Sequence, residues 1–436
     1  MFTISFPSCR PAGRTLARWA LVSTIAVAGA AAAQGTATLT LDRALQLAQQ
    51  RSRQLVAQDA AAGAAREMAV AAGQRPDPSL KAGINNLPVD GSDRFSLSRD
   101  FMTMRSVGVM QELTRADKRS ARAGRFEREA EVAEAMRAAA LAALRRDTAK
   151  AWLERHFQER VLELLQTQRG EAALQVEAAE AAWRGGRGAQ AEIFAARAAA
   201  AQIDERVKQA EQQVAVAKTR LARWVGDDAR QPLAPPPALE LADADAATVD
   251  ARVAHHPELA VIARQEGVAR AEADVAERNR SPDWSVELMF SQRGSAYSNM
   301  VSVNVSVPLQ WDRRNRQDRE LAAKLALVDQ VRAQREEAER EHAAEVRGWL
   351  QAWRGQRDRL VHYDNTLLPL AAQRTQAAVA AYRGGGGALG AVLEARRMEV
   401  DLRIERLRLE MDAAALWAQL EYLVPSEART AVAKEQ

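Results

Sequence analysis

The chain repeats itself at a spacing of about 200 residues, and this duplication constrains its fold more than any single motif. Pro76-Asp77-Pro78 returns as Pro282-Asp283-Trp284, and Ser106–Leu113 (SVGVMQEL) returns as Ser302–Leu309 (SVNVSVPL). Trp152 matches Trp349. Trp183-Arg184-Gly185-Gly186 matches Tyr382-Arg383-Gly384-Gly385, and Ala196-Arg197 then matches Ala395-Arg396. The copies end at Leu221 and Leu420, and the offset drifts only between 196 and 206. Between them, the run PLAPPP at Pro232–Pro237 is a stiff segment that no helix can cross. The expected division is a first repeat over 34–231, a proline-rich linker over 232–248, a second repeat over 249–424 and a tail over 425–436.

Each unit reads as a helix, two short strands, a very long helix, a glycine turn and a medium helix. The first helix is expected to start near Thr40 or Ala251 and to run to the proline. In the second copy Val301, Val303, Val305, Val307 and Leu309 alternate with Ser302, Asn304, Ser306 and Pro308. Val286, Leu288 and Phe290 alternate with Ser285, Glu287 and Met289. A period of two places one strand face against an apolar medium and the other against a polar one. The first copy carries the same pattern more weakly, in Leu80, Ala82 and Ile84 and in Val107, Val109 and Leu113. The strand pairs are expected near 78–113 and 284–309.

From Arg115 to Trp183 there is no proline, and glycine occurs only at Gly124 and Gly170. A helix of that length spans roughly 100 Å at 1.5 Å per residue. Asp312–Tyr382 offers a similar length, with a kink or bend expected at Pro369. The flanking helices, near Leu41–Arg75 and Ala189–Val225, are about half as long, so two end to end match one long helix. Val400, Ile404, Leu407, Met411 and Ala414 step by four and three, as do Leu153, Phe157, Val161 and Leu164 nearly. Such spacing builds a lateral packing seam.

The N-terminus reads as an address. Arg10, Arg14 and Arg18 precede an apolar run from Trp19 to Ala33 that closes on Ala31 and Ala33, so 1–33 is expected to be a cleaved signal. Cys9, the one cysteine, lies ahead of that run, where a lipid-acceptor cysteine does not sit, so no anchor is expected. Cleavage removes it, and with it any disulfide or thiolate chemistry. It also removes three arginines from a formal charge of +4, leaving no nucleic-acid footprint. After the leader no stretch approaches eighteen consecutive apolar residues, which argues against a helical membrane span.

The fold class is therefore mixed but mainly α: long helical hairpins plus four strands per chain. Four strands cannot close a barrel, and open edges are not tolerated in hydrocarbon, so several protomers must contribute strands if the apolar faces meet lipid. Val107, Val109, Val286, Leu288, Val303, Val305 and Val307 are the candidate barrel residues. The glycine turns at 184–188 and 383–387 are candidate docking tips, with Arg184, Gly185, Gly186, Arg187, Arg383, Gly384 and Gly385 as their residues. Glycine supplies the positive φ that such turns need.

Together these features resemble the outer-membrane efflux protein family, the TolC-like exit ducts of tripartite pumps. The resemblance rests on Thr40-Leu41 with Ala44-Leu45, on the Pro-Asp-Pro before the first strand, and on both [Trp/Tyr]-Arg-Gly-Gly tips with their downstream Ala-Arg. Within the family, Asn86–Gly91, Ser98–Arg105 and Val109–Lys118 are similar to the cobalt–zinc–cadmium branch at its first hairpin and barrel-to-helix junction. The resemblance implies a homotrimer with a twelve-stranded barrel in outer-membrane lipid on a helical tunnel. It further implies a periplasmic adaptor and a proton-driven inner-membrane pump as partners, and divalent heavy-metal cations as cargo. A duct of the same fold for drugs or organic solutes, and a periplasmic coiled-coil adaptor, are the competing readings.

No catalytic site, cofactor or dedicated metal site is expected. His156, His255, His256, His342 and His362 are scattered, and the adjacent pair His255-His256 lacks further ligands at useful spacing. Met102, Met104 and Met110, near Phe101, could offer thioethers to a soft ion but read better as apolar filling. No phosphate loop or nucleophile motif stands out, so the chain does not read as an enzyme.

Overall fold

The computed structural model describes residues 38–241 and 255–423. The leader over 1–33, the tail over 425–436 and the helix start near Ala251 lie outside the described residues.

Two short helices open the body, α1 (Leu41–Arg51) and α2 (Arg53–Gly73). They correct the single helix expected over Leu41–Arg75. Ser52 leaves helical geometry at ψ 109°, and its hydroxyl accepts the Leu55 amide at 3.3 Å, capping α2. Thr40 does the same for α1, accepting from the Arg43 amide at 3.1 Å. Strands β1 (Ser79–Asn85) and β2 (Met104–Leu113) follow. The long helix α3 is unbroken over Ala116–Arg184, 69 residues, and α4 returns over Gln190–Val225.

The second half begins with α5 (Pro257–Asn279), then β3 (Trp284–Gln292) and β4 (Met300–Ser306). Its long helix is interrupted. Between α6 (Gln317–His362) and α7 (Leu368–Arg383) lies a π-turn at Tyr363–Leu367, where the Leu368 amide donates to the Tyr363 carbonyl. Pro369, in the first turn of α7, lacks the donor that a regular ladder requires there, and the wider π-turn takes up the mismatch. Helix α8 (Leu389–Glu421) completes the second hairpin.

The four strands form one antiparallel sheet in the order β1-β2-β3-β4. The halves meet at β2 and β3, with Val109 opposite Leu288 and Val107 opposite Phe290. Strands β1 and β4 are left as unpaired edges. Val307 falls just past β4, contrary to its expected place in the strand. Pro308 cannot donate to a ladder and restricts the residue before it, so in-chain pairing stops at Ser306.

The main core sits between the halves at mid-height of the helices, where Trp152, Leu153, Leu221, Val346, Leu350 and Trp417 pack together. The proline-rich segment is tied to it. Leu39 and Leu233 form a parallel bridge, and the Trp152 indole donates to the Leu39 carbonyl at 3.1 Å. Arg155, fully buried, donates to the Ala229 and Gln231 carbonyls at 2.7 and 2.8 Å and pairs with Glu159. A buried guanidinium needs such complete satisfaction. Higher along the hairpins, Leu165 and Val207 of the first meet Val400 and Ile404 of the second, with the expected seam residues Val161 and Leu164 only partly buried against them. Among the described residues no helix is long and apolar enough to cross a membrane.

Candidate functional site: a two-faced sheet and paired hairpin tips

The strand register sorts side chains into two faces. Leu80, Val109, Leu288 and Val303 form one cross-strand row, and Ala82, Val107, Phe290 and Val301 form the next. These residues share a face with Val286 and Val305, and it is open to the surroundings: Leu80 is 75 % exposed and Val303 65 %. Six of the seven candidate barrel residues thus lie on one surface, Val307 being the exception. Arg105 and Gln292 end this face on the loop side, opposite Ile84. Exposed aromatic rings lie at both ends of the strands, Trp284 opening β3 and Trp311 beyond β4 on the helix side, and Phe95, Phe101 and Tyr297 in the loops.

The opposite face carries Lys81, Gly83, Ser106, Glu287, Ser291, Ser302 and Asn304. Lys81 donates to Glu287 at 2.7 Å, joining the two repeats across β2. Gly108 lies between them, opposite Lys81 on one side and Met289 on the other. A Cβ there would stand 2.7 Å from the Leu288 carbonyl oxygen, so only glycine lets β2 and β3 approach.

Where sheet becomes helix, the Asp283 carboxylate of the second repeat accepts the Arg115 amide at 3.2 Å and the Lys118 ammonium at 2.8 Å. It caps the start of α3, and Lys118 is only 5 % exposed. The sequence marked Pro282-Asp283 as a repeat landmark but gave no hint that its partner lies in the other repeat.

The methionines do not converge. Met104 and Met110 share the polar face but are six positions apart, roughly 20 Å along the strand. Met102 is exposed in the loop. The loop is closed by Thr103, whose hydroxyl donates to the Asn86 carbonyl at 3.1 Å and whose amide donates to Asp100.

At the far end, the two glycine turns lie side by side. Gly186 and Gly385 adopt φ of +69° and +78°, whereas Gly185 and Gly384 stay at −82° and −77°. One glycine per turn thus uses the left-handed region, not the whole run. Ala179, Ile193 and Ala196 of the first hairpin pack on Leu389 and Val392 of the second, with Tyr382 against them. Trp183, the counterpart of Tyr382, is instead 48 % exposed, and Phe194 in the first turns of α4 is also open. Arg184 donates to the Glu180 carbonyl at the end of α3 and remains on the surface with Arg187 and Arg383.

The histidines divide. His255 and His362 are exposed, and His156 stacks on Trp152, with burial and then Arg160 lowering its pKa. His256 and His342, far apart in sequence, stack with ring centroids 4.7 Å apart. Burial, then the neighbouring His342, pushes the His256 pKa down to about 4, so it is neutral at physiological pH. His342 lies 3.4 Å from Glu258 and 3.7 Å from Glu345. The expectation of scattered histidines is therefore corrected for this pair: tertiary packing of α5 on α6 brings them together.

The fold, a mainly helical body with a small sheet that one chain does not close, is similar to that of solved outer-membrane channel proteins. VceC of Vibrio cholerae, an outer-membrane protein, matches with a TM-score of 0.71 at 18 % identity, covering 88 % of this chain and 95 % of its own. The outer-membrane channel CmeC of Campylobacter jejuni matches at 0.72 and 13 % identity, with 91 % and 88 % covered. The open-state channel MtrE of Neisseria gonorrhoeae gives 0.62 at 16 % identity over 88 % of each chain. No protein-family model matches the sequence, and no curated protein does.

Proposed function

We propose that this chain is one protomer of a non-catalytic outer-membrane exit duct in a tripartite efflux system. The observation that carries the reading is the exposed apolar sheet face between two sets of aromatic rings. An apolar band of that kind with aromatic girdles is what a strand wall in lipid requires. Its open edges, β1 and β4, must be paired by other copies before the wall enters hydrocarbon. Three copies give twelve strands. In this arrangement residues 1–33 are a cleaved signal, and the repeats over 34–231 and 249–424 are joined by 232–248. The helices extend into the periplasm, and the glycine tips, with Arg184, Arg187 and Arg383, meet an adaptor and through it a proton-driven pump.

For cargo, export of organic solutes is the first reading, because the fold likeness is to outer-membrane channels at large and supports no metal-specific branch. Divalent metal export is the second, favoured by the hairpin stretch 86–118 alone. Deleting the gene in its host, and measuring growth and accumulation with organic toxicants and with Zn, Co, Cd, Ni and Cu, separates them. Toxicant sensitivity restored by the intact gene supports the first reading, and selective Zn, Co or Cd sensitivity replaces it with the second. Absence of heat-sensitive oligomers from the outer-membrane fraction would overturn the duct itself.

A further inference from the structure

We propose that His256, Glu258 and His342 form a binding site for one borderline divalent transition-metal cation of the Zn(II) type, clasping the start of α5 to α6. Each of the three offers a ligand atom, and these atoms lie within 4.8 Å of one another. Ligands of one ion held at about 2 Å in tetrahedral geometry stand roughly 3.3 Å apart, so modest side-chain rotation closes the site. Two imidazoles and one carboxylate form a donor set that suits Zn(II), Co(II) and Ni(II) and is poor for Mg(II) or Ca(II), which prefer oxygen alone.

The surroundings are arranged for a ligand. His342 presents Nε2 to Glu258 and Nδ1 to Glu345, at 3.4 and 3.7 Å. One nitrogen toward the shared centre and the other toward a carboxylate is the arrangement that orients a metal-bound histidine and raises its basicity. His256 is buried at the helix start, where its Nδ1 accepts the Glu258 amide at 3.3 Å. That long hydrogen bond is a weak cap, so surrendering it to coordination costs little. A cavity of about 20 Å³ borders His256 and Glu258, with Arg146, Trp349 and Tyr422 in its lining, while His342 meets these two ligands from outside it. It admits one ion or water but not an organic ligand. Arg146 is the opposing charge, and Asp147 holds it at 2.9 Å. With Glu258 and Glu345 the site still presents net negative charge. Glu258 is about half exposed, leaving a coordination position open to water.

The site lies in the helical wall, away from both sheet faces, and stands independently of the cargo reading. The test uses the full-length protein, purified in detergent without a histidine tag and stripped by chelator. Equilibrium dialysis with Zn(II), and visible absorption with Co(II), should give one ion per protomer and Co(II) bands of low-coordinate nitrogen–oxygen ligation. His342→Ala should abolish both, and Glu258→Gln should weaken binding more than tenfold. Glu345→Gln should weaken it about tenfold while keeping the bands. His156→Ala should change neither. Stoichiometric binding that survives His342→Ala and Glu258→Gln, or uptake below one ion in the parent, overturns the proposal. If His342→Ala does not assemble, Glu258→Gln alone decides, because that residue is on the surface.

Discussion

The two repeats share a pattern but not a fate, because one junction between them is complete within the chain and the other is open. Strand β2 of the first repeat pairs with β3 of the second, and Asp283 of the second caps the long helix of the first. The equivalent elements on the outer side are β4, β1 and Asp77, and these have no such partners. Asp77 is exposed and forms no ion pair among the described residues, and neither does Arg314, which stands at the position of Lys118 in the repeat alignment. In the proposed oligomer the inner junction is a template for an outer one between copies. Transferring the β2–β3 register through the repeat places Val305 opposite Ala82, and Val307 opposite Leu80, of a neighbouring protomer. That pairing would draw Val307 into a strand that it does not join within one chain.

The sharpest break of this comparison is covalent. Ala82→Cys with Val305→Cys, in a chain whose Cys9 has been removed with the leader, should give disulfide-linked oligomers up to a trimer and little cross-linked monomer. Within one chain the two positions lie on opposite sheet edges, three strands across and four residues along, about 20 Å apart at the usual strand spacing and rise, beyond the reach of a disulfide. Non-reducing gels that show monomer alone would refute the transferred register. Next in size is the completed junction. Asp283→Ala strands the buried Lys118 ammonium and uncaps α3, and should cost about 3 kcal/mol of stability. Asp77→Ala should leave a dissociated protomer almost unchanged and weaken only the assembled oligomer. Melting each variant in oligomer-preserving and dissociating detergents reads the difference, and equal losses in both states would erase the distinction.

The faces of the sheet invite a smaller test of the same kind. Val109→Arg or Leu288→Lys on the apolar face should lower the stability of the bilayer-inserted form by about 2–4 kcal/mol, whereas Ser302→Lys on the other face should stay within about 1 kcal/mol. Folding titrations into vesicles check this, and equal penalties would mean that the apolar face does not meet lipid. That face was legible in the sequence because a strand's period of two is local. The long helix was legible for the same reason: helix-forming composition without proline gave Arg115–Trp183, and α3 runs Ala116–Arg184. The misses have non-local or side-chain causes. Ser52 breaks a helix through a hydroxyl cap rather than through proline or glycine. His256 and His342 meet only because α5 packs on α6. Trp183 and Tyr382 match in sequence yet differ in exposure, because only the second faces its sister hairpin.

The smallest expected effect concerns the one place where the long helices differ internally. Helix α3 is regular throughout, whereas its counterpart carries the π-turn, and Arg406 of α8 grips Asp364 within that turn through two hydrogen bonds of 2.7 and 3.1 Å. These bonds hold the Asp364 carboxyl below its ordinary pKa. A carboxylate whose pKa is depressed by folding contributes stability above the unfolded value near 3.8, and loses it as pH falls through the lower folded value. The pair is partly exposed, so solvent screening limits its contribution to under about 1 kcal/mol. Asp364→Asn should therefore melt slightly below the parent at pH 7, and the gap should close in acid below about pH 3.8. The π-turn itself should persist, because Pro369 rather than the ion pair demands it. A variant that matches the parent at every pH would show that Arg406 grips the turn without stabilising it. Replacing Pro369 with Ala should then be the change that restores a regular ladder and makes the second long helix resemble the first.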